Sequence, residues 1–341
     1  MHSNPVNTYS AAQNPPPMAS TAHARWVSHS VLAALVIVLG AFPWVAPALG
    51  LDYYVDFVRR ILIVSIAALS LNFLIGRAGL VALGHAGFVG VGAYAVVAMV
   101  EGGYSNAWLI WLVAAVAGFV VSGLIGLVAV RTRGVYFIMI TLAFAQMLYY
   151  LAVSLRFWGG DDGYTMYSPL QLWEGVDAQG NWLFSLVLLA FASLFLVLSR
   201  IERSYFGRAL EGIRDNETRM QAMGYPTVRL KLLAFAALSG ALLATQNLFV
   251  SPSLMQWNQS ALLIVMVVIG GIGLRWGAPL GVAVWLVLEE LLKQHTDYWH
   301  APMGLLLVAV VFLAPRGLAA FFAKKDSAAK KQSAQRSKDA A

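Results

Sequence analysis

Apolar residues run through this chain in blocks near the length of a bilayer crossing, separated by short polar breaks, and the blocks predict membrane-spanning helices. The candidates are residues 31–49, 61–75, 80–100, 107–130, 135–155, 182–199, 230–250, 261–274, 280–292 and 303–314. Several are shorter than the ~20 residues a crossing needs and require tilt or help from their flanks. Residues 1–24 are polar and carry Pro15-Pro16-Pro17, so they are expected to be a disordered N-terminal extension. Ala46-Pro47-Ala48 imitates a signal cleavage site, but the long polar leader and the length of the run favour a retained span. Residues 25–323 then form one membrane domain, and the lysine-rich stretch 324–341 a solvated basic tail. The expected fold class is all-α, a polytopic integral membrane protein of about ten spans.

One stretch, 199–232, interrupts this rhythm. It is polar and helix-forming, and it concentrates Arg200, Arg203, Arg208, Arg214, Arg219 and Arg229. Ala209, Ile213, Met220 and Met223 offer apolar contacts on a short helix, which Gly224 and Pro226 then stop. An amphipathic helix hung between two spans suits docking onto a soluble partner; a solvated connector is the alternative. Positive charge stays on the cytoplasmic side of a bilayer, which places this loop and both termini inside. Of the lysines and arginines, only Arg59, Arg60, Arg156 and Lys293 then fall outside.

Composition supports the membrane reading. The 341 residues are 60% hydrophobic and 11% charged, against ~25% charged in a soluble domain. The formal charge of +7 therefore reports topology and makes no case for nucleic acid. With no cysteine, disulfides and thiolate metal sites are excluded.

Residues 72–94, NFLIGRAGLVALGHAGFVGVGAY, crowd glycines 76, 79, 84, 87, 90 and 92 into membrane. Glycine at this density lets helices approach closely, or breaks a helix so that backbone lines a cavity. His85 lies in its middle, and an ionisable group at that depth faces a cavity or a partner. A packing histidine that donates to a carbonyl across helices is the other reading.

GLVALGHAGFVGVGAY resembles the signature of the branched-chain amino acid family of ABC importer permeases. RGVYFIMITLAFAQM (133–147), GGDDGY (159–164), GRALEGIRDNE (207–217) with KLLAF (231–235), and VVIGGIGLRWGAPLGV (267–282) resemble further blocks of that family in the same order. The likeness covers about Arg60 to Leu318 and points to the M-type of the two related permease subunits. Leu80, Ala82, Arg219 and Met220 depart from the family's usual residues. The resemblance implies a homologous second permease subunit, two cytoplasmic ATPases and a periplasmic solute-binding protein, in a bacterial inner membrane. It implies ATPase coupling through residues 200–229, with Arg208, Glu211, Arg214, Asn216, Glu217, Ala222 and Gly224 in the coupling segment. It also implies a translocation pathway near Asn72, Gly84, His85, Gly87, Phe88, Gly90, Tyr94, Thr141 and Gln146. The implied substrate is a branched-chain or other hydrophobic amino acid, with amides or urea as further possibilities. A broken-helix N-terminus near Gly84 would attract a carboxylate. The competing class is a secondary transporter or channel that works without ATPases, or a non-transporting subunit of a larger complex.

Other candidates carry less. Glu289 and Glu290 are expected to pair locally with Lys293 on one helical face. His295, Asp297 and His300 have loose spacing for a metal, and Asp161 and Asp162 fit a solvated turn or a docking contact. Gly270, Gly271 and Gly273 lack the strand–helix context of a dinucleotide loop, so packing explains them. The chain contains no phosphate-binding G-x-x-x-x-G-K-[ST] loop, so it is not expected to be an enzyme; ATP and magnesium belong to partner subunits.

Overall fold

The helix Asp52–Phe73, here α2, is the axis of the structure. With the π-turn Leu74–Ala78 it makes a continuous apolar span, and 78% of its most apolar stretch is buried. The corresponding share is 28% for the helix Val135–Ser154. The computed structural model describes residues 36–46, 50–129, 131, 132, 134–167, 169–173, 175–216, 220, 222, 223, 249–296, 298–313 and 317–319. The expected extension 1–24, the tail 324–341 and nearly all of the expected span 230–250 lie outside the described residues.

The remaining helices are α1 (Val36–Val45), α3 (His85–Glu101), α4 (Ala107–Ala129), α5 (Val135–Ser154), α6 (Gly180–Arg203), α7 (Tyr205–Asp215), α8 (Trp257–Gly270), α9 (Gly277–Lys293) and α10 (His300–Leu313). Around α2 pack α6, α8 and α9, while α3 packs mainly against α4 and α5. Large apolar side chains such as Phe119, Leu124, Tyr136, Met139, Leu305 and Phe312 stay exposed along α4, α5 and α10. Such faces are stable against lipid, where no water penalises them. The all-α expectation holds, and among the described residues four helices are long and apolar enough to cross a membrane, against about ten spans expected from the sequence.

Backbone contact through glycine closes the α8–α9 hairpin. A Cβ on Gly281 would strike the Met266 carbonyl oxygen, and one on Gly270 the Gly277 carbonyl. Gly271 and Gly273 turn the chain between the helices at positive φ, 117° and 75°. The packing role expected for this glycine cluster is what the structure uses.

Opposite the α7 end, short strands absent from the sequence expectation tie the loops together. β1 (Tyr164–Thr165) pairs antiparallel with β4 (Phe249–Val250), and β2 (Gln171–Trp173) with β3 (Val176–Asp177). Strands of two or three residues carry too little periodicity to be read in advance. The Tyr164 hydroxyl donates to Glu101 at 2.5 Å, and this bond to a carboxylate holds the phenol pKa up to about 12. Asp161 and Asp162 sit exposed in the turn that precedes β1.

Candidate functional site

Two regions gather the polar chemistry: the buried start of α3 and the α7 end of α2. The first depends on a break in helix. A span over 80–100 was expected, yet residues 79–84 are non-helical and α3 begins only at His85. The Nε2 of His85 lies 2.9 Å from Ser70 Oγ, and Ser70 sits about 12 Å along α2 from Ala78 at 1.5 Å per residue. The chain therefore turns at Gly79, re-enters the apolar interior as irregular backbone, and starts a helix there. Irregular backbone at such depth is tolerated where protein surrounds it.

Three elements grip this start. Ser70 of α2 donates to the Ala67 carbonyl at 2.8 Å, so its oxygen accepts from His85 Nε2–H. Ser260 of α8, fully buried, accepts from the Ala86 N–H at 2.9 Å. Gly84 lies against α5, where a Cβ would stand 2.5 Å from the Thr141 carbonyl oxygen. Gly87 touches Ala145, and Gly90 admits the Met255 side chain. Phe88 and Tyr94 are buried on α3, and the Tyr94 hydroxyl has no hydrogen-bond partner among the described residues. Gln146, five residues after Thr141 on α5, is half-buried.

Asn72 takes a different place from these. Its Nδ2 donates to the Leu274 carbonyl at 2.9 Å, and its Oδ1 accepts from the Gly273 N–H at 2.8 Å. The side chain thus clamps α2 to the α8–α9 turn, where a Cβ on Gly76 would stand 2.6 Å from Gly273 Cα. Asn72→Ala leaves an N–H and a carbonyl without these partners, at about 1–3 kcal/mol for each group that stays dry. The expected outcome is a lower unfolding temperature in detergent, and a variant that melts with the parent would show the clamp to be redundant.

The second region is an ionic network around Glu202, at the end of α6. Its Oε2 holds Arg275 Nε at 2.5 Å and Arg77 Nη2 at 3.3 Å. Arg77, on the π-turn, also pairs with Glu211 of α7. Arg214 of α7 donates to the Gly76 carbonyl, and its stem lies over Gly79, which caps the π-turn at φ 68°. π-turns are rare and recur at functional sites. Ser204 caps α7 by accepting from the Gly207 N–H at 3.3 Å, and Ala209, Ile213 and Met220 form the expected apolar contact beneath it.

Glu211 and Arg214, expected in the coupling segment, each reach the membrane body, while Arg214 stays half-exposed and also pairs with Asp215 at 3.1 Å. Arg208 and Ala222 are exposed, with Arg208 lying over the Tyr205 ring at 4.6 Å. Met223, expected as a contact, is exposed as well. Asn216 ends α7, and Glu217 and Gly224 lie outside the described residues. Ser70, Ser260, Arg77, Glu202 and Arg275 were not singled out from the sequence. For Glu202 the available signal was a lone acid among arginines at the end of a span.

Among the lesser candidates, Lys293 pairs with Glu289 at 2.5 Å as expected, whereas Glu290 accepts from the Tyr53 hydroxyl at 2.5 Å. His295 contacts the Leu291 carbonyl and His300 stacks on Trp299, while Asp297 lies outside the described residues.

Apolar spans joined by glycine contacts, a helix start buried among them and an ionic network at the α7 end together define a multi-pass membrane protein. The chain belongs to the family described as branched-chain amino acid transport system / permease component, which it matches over residues 53–314. It is similar to the high-affinity branched-chain amino acid transport system permease protein LivM of Salmonella typhimurium, 28% identical over 322 residues, covering 84% of this chain and 74% of that one. The Escherichia coli protein of the same name is 28% identical over 321 residues, with the same coverage. A probable branched-chain amino acid transport permease protein LivM of Methanocaldococcus jannaschii is 27% identical over 232 residues, 61% of this chain and 66% of that one. No solved structure matches the chain.

Proposed function

We propose that this chain is the membrane-spanning subunit of an ATP-driven importer for branched-chain or other hydrophobic amino acids. In this reading it sits in a bacterial inner membrane with α7 and both termini in the cytoplasm. It pairs with a homologous permease subunit and binds two cytoplasmic ATPases, which use ATP and magnesium. A periplasmic binding protein delivers the solute. The observation that carries the reading is α7, which is wired into the membrane body through Glu211 and Arg214 while Arg208 on the helix, and Ala222 and Met223 beyond its end, stay exposed to a partner.

That wiring suits a lever. A push on α7 passes to the π-turn of α2 through Arg77–Glu211 and Arg214–Gly76, and to the α8–α9 turn through Glu202–Arg275 and the Asn72 clamp. These links are short and partly shielded from water, so they resist stretching better than exposed ion pairs do. Alternating access then needs only a rocking of α2, α8 and α9 around the start of α3.

The test is purification from native membranes followed by ATP hydrolysis with and without leucine-loaded binding protein. Two ATPases and a second permease are expected to co-purify, to stimulate with the loaded binding protein, and to be lost on deleting residues 208–224. A lone chain that transports in proteoliposomes would overturn the importer reading in favour of an ATPase-independent carrier.

A further inference from the structure

Between α2, α8 and α9, at the end opposite α7, lies a cavity of about 470 Å³. That is within the range of about 300–1,000 Å³ typical of small-molecule sites. Arg60, Val64 and Ala67 line it from one stripe of α2, and Ala86 closes its floor at the start of α3. Leu262, Met266, Trp285 and Leu286 make its side walls apolar. The exceptions are concentrated at the mouth. Arg60 Nη2 and Glu289 Oε1 face each other across 4.0 Å, a gap too wide for a hydrogen bond.

Charge beside hydrocarbon is costly; Glu289 is paired with Lys293 at 2.5 Å, which leaves the Arg60 guanidinium facing the same carboxylate across the wider gap. Glu289 is 12% exposed, and Arg60 51%. Resting on the importer reading, we propose that this cavity is a binding site for a zwitterionic α-amino acid. Arg60 holds the carboxylate, Glu289 holds the ammonium, and the aliphatic side chain points down toward Ala67 and Ala86. An α-amino acid carries both charges on neighbouring carbons, so one molecule answers both groups at once. The guanidinium fork matches a carboxylate in two parallel bonds. Lys293 holds Glu289 at 2.5 Å while resting over the Trp299 ring at 4.7 Å. The ligand ammonium takes the place of this half-exposed lysine, which swings to solvent. The small alanines of the floor leave room for a branched side chain, and a urea-sized solute would leave the apolar walls unfilled.

The experiment is binding of radiolabelled L-leucine to the complete complex in lipid nanodiscs, beside leucine uptake in cells. Leucine is expected to compete with the label, while 4-methylpentanoate, which lacks the ammonium, and 3-methylbutylamine, which lacks the carboxylate, do not. Arg60→Gln and Glu289→Gln each weaken leucine binding roughly tenfold or more. Arg60→Gln also raises leucinamide relative to leucine, a switch that a merely structural arginine would not produce. Leu262→Trp keeps both charges, fills the cavity and abolishes binding, with assembly checked by retention of the partner subunits. Unchanged leucine binding in all three variants, with uptake intact, overturns this site and leaves the importer standing. A complex that neither binds nor imports leucine overturns both.

Discussion

Replacing Glu202 by glutamine is expected to lower leucine uptake at least tenfold while the chain still reaches the membrane. Glu202 holds two guanidinium groups, Arg77 and Arg275, from separate elements. Its side chain is 9% exposed, so water screens these pairs poorly. Removing the charge leaves two neighbouring cations with no shared counter-ion, at about 1–3 kcal/mol, less than a fully buried pair because both arginines remain partly wet. That is enough to let α6 and the α8–α9 turn part from the π-turn without unfolding the chain. On the importer reading proposed above, the readout is the ratio of leucine transported to ATP hydrolysed. A ratio equal to the parent's would show that the network does not transmit movement, whereas Arg275→Lys, which keeps the charge, should fall between the two.

Gly281→Val is expected to remove the protein from the membrane altogether. The added side chain has the Met266 carbonyl in its path and the Gly270 nitrogen 2.8 Å from its Cβ. Both are backbone atoms of α8, so no rotamer change relieves the clash and the hairpin has to open. Overpacking costs about 1–3 kcal/mol where side chains can yield, and more where only backbone can. Opening the hairpin would also pull Gly273 and Leu274 off Asn72. Gly123→Ala is the control, because a Cβ there meets nothing within 4 Å. Membrane-fraction yield and size-exclusion profile should match the parent for Gly123→Ala and collapse for Gly281→Val; a well-behaved Gly281→Val protein would show that α8 and α9 can separate at small cost.

Much of the architecture was legible without coordinates. Blocks of apolar residues reach crossing length in α4, α5 and α6 because the bilayer core sets that length, whereas α2, expected over 61–75, already begins at Asp52. Glycine density at 76–92 and at 270–273 announced close approach, and Gly76, Gly84 and Gly270 do abut backbone, as does Gly281, which was not singled out. His85 was legible as a residue needing a partner, but not its partner, since Ser70 lies on another element. The expected helix start at 80 failed because Leu80, Val81 and Ala82 are as apolar as any helical residue; what ends the helix is the left-handed turn at Gly79.

Local pattern sufficed wherever solvent alone decides a residue's fate. Apolar runs go into lipid, the Ser204-led polar stretch forms a capped surface helix, and Lys293 finds the acid four residues before it. Those outcomes depend on neighbours within a turn or two. Pairing across the fold was left to tertiary structure. Glu211 and Arg214 turn toward the π-turn, Asn72 reaches across 201 residues to Gly273, and Arg60 comes to face Glu289. A polar group taken from water must find its complement wherever the chain happens to bring one, and the identity of that complement is a property of packing, with no trace in the spacing of either partner alone.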